Sequence, residues 1–449
     1  MLEINKIYNI DCVKGMKLLD DNSIDTIITD PPYDLINGKN GKGFMGKHWD
    51  STGVAFNVDV WKEALRVCKP GAMLLAFGGT RTYHRMVCAI EDAGWEIRDC
   101  MMWMYGQGFP KSYDISKGID KQQGNEREVI GEYQYPDGSG KRRVANCGSQ
   151  TTIGRVSGSF DLTKPYSVEA QAWSGYGTAL KPSYEPIVIA MKPIEGGYVN
   201  NALKYGVAGL NIDEGRIGEN AGWSYPNGAG GVYSHKYQIS NENIKNWNNF
   251  STKEDNKPVE ATKGRWPSNV ILDKEAGQVL DEQTGVLKSG DNCFRTQTEN
   301  GYHGGFNDIG IEQTSYGDMG GASRFFYCAK TSTFERNYGC EEFDTKKKSP
   351  LQVKENENGI ADRLHEAVPK SNHHPTVKPI SLMSYLARLT KMPSNGIVLD
   401  LFGGSGSTAL GCIVEDRPYI LFEKESEYIT IAMHVLKHGK KQKKKIKYL

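Results

Sequence analysis

Short apolar, β-rich runs alternate with helical periods at both ends of this chain, and the alternation is lost between them. That pattern is the mark of a sheet flanked by helices, and it restricts the chain to an α/β architecture assembled from both ends. Near the N-terminus it predicts strands over residues 6–10, 24–29, 72–77 and 96–104. Apolar residues at helical spacing (Val60, Ala64, Val67, then Met86 and Ile90) predict helices over 57–68 and 82–93, the first stopped by Lys69-Pro70-Gly71. Near the C-terminus, 380–389 reads as an amphipathic helix, 397–401 as a buried strand, 407–414 as a helix, 419–423 as a strand and 427–436 as a helix.

The middle behaves differently. Residues 106–181 break into Gly, Ser, Gln and charged residues around the basic stretch Lys141-Arg142-Arg143, until 185–191 again predicts a strand. Residues 195–372 are loop-rich, with strand-like runs at 269–272 and 324–328, and 346–370 reads as a mobile linker. At about 150 residues per domain, 449 residues allow roughly three domain equivalents. The expected division is a first catalytic part over 1–194 with an insertion at about 106–180, a recognition region and linker over 195–372, a cofactor-binding part over 373–436 and a basic tail over 437–449.

Composition excludes several classes. Hydrophobic residues make up 38% of the chain and charged residues 24%, and no stretch approaches the ~20 apolar residues of a membrane helix. The N-terminus lacks a basic region followed by an apolar run, and the nine cysteines form no C-x-x-C pair. These features predict a cytoplasmic protein with reduced thiols and no metal; the neighbouring His373 and His374 have no further ligands at metal spacing. Net charge is +1, but seven lysines fall between Lys437 and Lys447, leaving −6 for the rest. A polyanionic partner would therefore be held by local patches, and the lysine run itself reads as a solvated terminus before it reads as a binding element.

Two motifs carry chemistry. Asp400-Leu401-Phe402-Gly403-Gly404-Ser405-Gly406-Ser407-Thr408 is a glycine-rich turn between a strand and a helix, where backbone can approach a ligand closely. Glu423 ends the next strand, placed to accept from ribose hydroxyls. The loop suits any nucleoside cofactor, NAD and S-adenosylmethionine alike, and a structural turn has the same outline. Asp30-Pro31-Pro32-Tyr33 ends the apolar strand over 24–29, at the edge where open α/β sheets bind ligands. Two prolines make a stiff arm that presents a carboxylate, a free carbonyl and an aromatic face. Acceptors at Asp30 and Pro31 would hold the hydrogens of an exocyclic amine and free its lone pair, while Tyr33 stacks on the base. A Pro-Pro turn with a capping aspartate is the plain alternative.

At these residues the chain resembles the amino-group DNA methyltransferases, specifically the circularly permuted group in which D-P-P-Y precedes F-x-G-x-G. The likeness covers residues 1–115 and 373–435, with weaker segments at 173–193, 264–273 and 320–330. It implies a Rossmann-like, seven-stranded sheet, S-adenosylmethionine as cofactor and duplex DNA as partner, in a prokaryotic or phage setting. It leaves a homodimer and a cognate restriction enzyme open. The implied catalytic residues are Asp30, Pro31, Pro32 and Tyr33, and the implied cofactor contacts include Asp30 and Asp400. Asp11 and Cys12 would contact the cofactor's adenine, though Asp11 is equally suited to cap a helix. Phe402 would stack on the cofactor, Gly403 to Gly406 with Ser407 and Thr408 would pass beneath it, and Glu423 would hold its ribose. His374-Pro375-Thr376-Val377-Lys378-Pro379 resembles the family's H-P-T-x-K-P segment, with Thr376 and Lys378 contacting the methionine carboxylate; Lys378 also suits a surface helix start. The chain departs from the pattern at Leu401, where relatives often have proline, and at Glu423-Lys424-Glu425, where more than one acid can reach the ribose.

A loop over 39–50 interleaves Lys42, Phe44, Lys47, His48 and Trp49, a mixture suited to phosphates or to closing over a flipped base, and equally to an ordinary loop with a buried tryptophan. Residues 195–345, rich in Asn, Gly, Tyr and Trp, are the candidate for target recognition, with a structural insertion as the alternative. The activity expected is N6-adenine methylation by base flipping and direct displacement. The rivals are N4-cytosine methylation, whose enzymes more often carry serine at the position of Asp30, a NAD-type dehydrogenase and a non-catalytic DNA-binding protein.

Overall fold

A computed structural model describes residues 2–35, 51–106, 112–134, 142–144, 154–156, 159–218, 223–224, 259–260, 264–289, 293–294, 312–313, 318–329, 338 and 377–446. Its centre is a sheet of nine strands: β1 (Lys6–Asn9), β2 (Ile24–Thr29), β3 (Cys68–Phe77), β4 (Glu96–Met104), β5 (Tyr184–Met191), β6 (Val270–Asp273), β7 (Tyr327–Ala329), β8 (Val398–Asp400) and β9 (Tyr419–Glu423). The spatial order is β1-β9-β8-β2-β3-β5-β4-β6-β7, so the two ends of the chain meet where β8 pairs in parallel with β2. β5 runs antiparallel between β3 and β4, and all other pairings are parallel. The Rossmann-like α/β class expected from the sequence is present, with all seven anticipated strands.

Two further strands extend the sheet. β6 and β7 come from the region expected to be for recognition; β6 pairs with β4 and β7 with β6, both in parallel. Ile271, Leu272 and Ala329 are buried there, so these short apolar runs have a core to join. The predicted strand at 324–328 is instead split, with a 3₁₀ turn over Ala322–Phe325 before β7. Asp281 closes that turn by accepting from Ser323 N at 2.8 Å and Ser323 Oγ at 2.7 Å. Lys69-Pro70-Gly71, expected as a stop, lies inside β3. Gly71 has φ +80° and its N–H bonds to Lys192 O, so the turn signal appears as an irregularity in the β2–β3 pairing.

The flanking helices are α1 (Cys12–Met16), α2 (Val58–Val67), α3 (Tyr83–Asp92), α4 (Ile380–Leu389), α5 (Ser407–Val414) and α6 (Ser426–Ile446). One layer packs Val60, Trp61, Ala64, Met86 and Ile90 on one face of the sheet; the other packs α4, α5 and α6 on the opposite face. The sequence pattern makes α4 amphipathic, yet eight of its residues are buried, because α5, the sheet and the Tyr327 ring, stacked on Tyr385 at 3.9 Å, enclose it. α6 continues through Ile446, so most of the basic tail is helical rather than a frayed terminus. Ile431, Ala432, Val435 and Leu436 bury the helix's first turns, and lysine propagates a helix once it is started. No helix among the described residues is long and apolar enough to cross a membrane.

Candidate active site

β2 is buried along its whole length and is rich in β-branched residues, which makes it a rigid support for the arm at its C-terminal end. Thr29, its last residue, donates its hydroxyl to Asp400 Oδ1 at 2.8 Å and accepts from Leu401 N at 3.3 Å. The departure from proline at Leu401 therefore has a use: the extra N–H ties the glycine loop to the strand that ends at Asp30. Asp400 also accepts from Phe402 N at 3.0 Å and, through Oδ2, from Thr408 Oγ1 at 2.6 Å. Asp400 thus braces both ends of the loop from inside the core, and burial pushes its carboxyl up to about 6.

The loop between β8 and α5 turns sharply. Gly404 and Gly406 adopt φ of +50° and +85°, in the left-handed region that favours glycine. A Cβ on Gly403 would lie 3.2 Å from the Leu421 side chain. Glu423, ending β9, accepts from Gly404 N at 2.7 Å and from Glu425 N at 2.7 Å. It is buried, which raises its carboxyl above the ordinary value, whereas Lys424 and Glu425 are exposed. Of the two acids in Glu423-Lys424-Glu425, Glu423 is the one that accepts from the loop. At the same edge Ile10 N donates to Glu423 O at 3.0 Å, and Asp11 is the N-cap of α1, accepting from Val13 N at 3.1 Å and Lys14 N at 3.3 Å. The Cys12 side chain points into the core, and burial pushes its thiol up to about 12.

The Asp30-Pro31-Pro32-Tyr33 arm stands beside this loop. Lys378, the residue before Pro379 and α4, reaches Asp30 Oδ2 at 2.9 Å and Glu185 Oε2 at 3.0 Å. Tyr33 donates its hydroxyl to the same Glu185 oxygen at 2.8 Å and accepts from Lys378 Nζ at 3.1 Å. The ammonium also lies 4.9 Å from the centre of the Phe77 ring and 5.3 Å from that of Tyr33. Burial opposes the charge on Lys378, but Asp30 and Glu185 more than offset it, and the net shift is upward. Burial, then Asp30 and Glu185, hold the Tyr33 phenol well above its ordinary value. Pro31 is buried, and Asp30, Pro32 and Tyr33 are partly exposed.

Tyr33 is seated by Gly79, where an added Cβ would come within 2.8 Å of Leu35 and 3.2 Å of Tyr33, and by Thr82, whose hydroxyl donates to Tyr33 O at 2.6 Å. A small, shallow cleft opens here, lined in part by Pro32, Tyr33, Phe56, Gly79 and Thr82. Glu185, Thr29 and Gly79 carry no motif, and sequence reasoning misses them as site residues; the one signal in the sequence is a carboxylate at the head of the apolar 185–191 strand. Thr376, Lys42, Phe44, Lys47 and Trp49 lie outside the described residues.

A glycine cradle after β8, a buried carboxylate at the end of β9 and a carboxylate-bearing arm after β2, all at one sheet edge, define the class of Rossmann-like methyltransferases. Over residues 24–434 the chain matches the DNA methylase family of N6 and N4 type, and it belongs to that family. S-adenosylmethionine is the family's cofactor, and the cradle fits it: side-chain-free backbone for the chain of the molecule and one buried acid with spare lone pairs for its hydroxyls.

Among curated relatives, the chain is 30% identical over 243 residues to Type II methyltransferase M.HindIII of Haemophilus influenzae, 46% of this chain and 65% of that protein. It is 31% identical over 117 residues to M.HpaI of Haemophilus parainfluenzae, 24% of this chain and 34% of that protein. The chain thus spans less than two thirds of either relative. Solved structures align at low similarity: PvuII DNA methyltransferase (cytosine-N4-specific) at 10% identity and TM-score 0.40, covering 100% of this chain and 94% of that one. The M1.HpyAVI–SAM complex aligns at 13% identity and TM-score 0.33, covering 95% and 97%. At those scores neither likeness bears on the reading of the site.

Proposed function

We propose that this chain transfers a methyl group from S-adenosylmethionine to the exocyclic N6 amine of adenine, at a short specific sequence in duplex DNA. The observation that carries the reading is the Thr29–Asp400 bridge, which sets the arm of Asp30 beside the glycine cradle. S-adenosylmethionine supplies an electrophilic methyl group when bound. The cradle from Phe402 to Thr408, with Glu423 and Asp11, holds and orients it. The target base leaves the helix at a cost of a few kcal/mol, least where pairing is weak. Asp30 and the Pro31 carbonyl then accept the two amine hydrogens, which withdraws the lone pair from the ring and aims it away from the base plane. Tyr33, its hydroxyl tied to Glu185, offers its ring for stacking.

Positioning and aligned hydrogen bonds supply the rate enhancement, and no covalent cysteine takes part. Aspartate at position 30, where cytosine-N4 enzymes more often carry serine, favours adenine. Residues 195–345, apart from the segments that build β6 and β7, are assigned to reading the target sequence. The experiment is Asp30→Ala assayed for cofactor binding and for methylation of DNA. Binding should stay within about threefold of the parent while turnover is abolished. Substantial residual methylation would remove Asp30 from the mechanism.

A further inference from the structure

We propose that Glu185 is a positioning residue for Asp30, acting through the Lys378 ammonium between their carboxylates, and that the pair reserves Asp30 Oδ1 for the target amine; this rests on the function proposed above. Lys378 Nζ is shared almost evenly, 2.9 Å from Asp30 Oδ2 and 3.0 Å from Glu185 Oε2. The second Asp30 oxygen, Oδ1, is buried and has no hydrogen-bond partner among the described residues. A buried carboxylate oxygen without a donor is costly unless a ligand supplies one, and an exocyclic amine supplies an N–H. Lys378 thus fixes the orientation of Asp30 by one oxygen and leaves the other for the base.

Glu185 is what keeps that ammonium from neutralising Asp30. With both carboxylates ionised and the lysine protonated, the three groups carry one net negative charge. The amine nitrogen gains positive charge as its bond to the methyl carbon forms, so a net negative cluster favours the transition state over the bound base. Without the Glu185 charge the ammonium belongs wholly to Asp30, the cluster is neutral, and that preference is lost. Glu185 also accepts from Tyr33, so one carboxylate sets both the acceptor and the aromatic wall. This arrangement differs from the cofactor-carboxylate contact that the family resemblance implies for Lys378, and the two assignments separate experimentally.

The test is a single-turnover methylation assay at saturating S-adenosylmethionine, with cofactor affinity measured by calorimetry, for the parent, Glu185→Gln, Lys378→Met and the double variant. Glu185→Gln should slow the step about 10- to 100-fold while cofactor affinity stays within about threefold. The double variant should lose clearly less than the two single losses combined, because Glu185 acts on Asp30 through the lysine and only its contact with Tyr33 is independent of it. Glu185→Asp, which keeps the charge, should recover part of the loss and serves as the second probe if the glutamine variant folds poorly. Weakened cofactor binding with an unchanged saturated rate, or fully additive losses in the double variant, would overturn the proposal. An inactive parent would overturn the proposed function instead.

Discussion

The Thr29 hydroxyl donates to Asp400 Oδ1 across 2.8 Å and accepts from Leu401 N, joining residues 371 positions apart in the chain. One side chain therefore couples the strand that presents Asp30 to the glycine loop proposed to hold the cofactor. Thr29→Val keeps the shape and removes the hydroxyl, leaving the Leu401 N–H buried without its acceptor. Urea unfolding should show a loss of about 1–3 kcal/mol, with cofactor affinity reduced as well. Thr29→Ser should retain most of both.

Asp400 predicts a pH effect whose sign is set by its burial. Burial raises its carboxyl to about 6, although Thr408, Phe402 N and Thr29 donate to it and pull the other way. The folded state binds this proton more tightly than the unfolded chain, whose carboxyl has the ordinary value of 3.8. Its favourable contribution is complete below that value and is lost as pH rises through about 6. Asp400→Asn does not ionise, and its amide can donate to Thr408 Oγ1 in place of the bond that Asp400 accepts from that hydroxyl. Relative to the parent it should gain about 2 kcal/mol between pH 4 and 7, read from urea midpoints across that range. Parallel curves for the two proteins would contradict the assignment.

Gly406 combines φ of +85° with a close neighbour, since an added Cβ would sit 3.3 Å from Ala432. Gly406→Ala should cost about 1–2 kcal/mol of stability and displace the loop, weakening S-adenosylmethionine binding about tenfold or more in calorimetry. Unchanged affinity would separate this turn from the cofactor site.

Arg417 is almost fully buried and donates to Ala387 O and Thr390 Oγ1, each at 2.8 Å, and to Thr26 Oγ1 at 3.1 Å. It locks the end of α4 to β2 beneath the site. Arg417→Met should destabilise the protein by about 3 kcal/mol in urea unfolding, because carbonyls it serves lose their donor. Cofactor affinity measured under folding conditions should change little.

The parts of the site legible in the sequence are those whose signal is local. Ile24 to Thr29 announces a buried strand by composition, Asp30-Pro31-Pro32-Tyr33 announces a stiff arm, and the glycines after Asp400 announce a turn. Glu185 is different. Its strand is evident, but its side chain meets Lys378 only because β5 runs antiparallel between β3 and β4 and α4 begins just after Lys378. Thr29 is hidden for the same reason, since a threonine ending a strand looks ordinary until β8 is laid beside it. The two outer strands are visible as short apolar runs, yet four and three residues carry too little periodicity to place them in the central sheet.

Methyl transfer to adenine is tested by incubating the protein with unmethylated DNA of diverse sequence and S-adenosylmethionine, digesting the product to nucleosides and identifying methylated bases by mass spectrometry. N6-methyladenine is expected, at a recurring sequence context, and none from Asp30→Ala. N4-methylcytosine would contradict the choice of adenine, and no methylated base, with cofactor binding intact, would contradict the assignment of this site to methyl transfer on DNA.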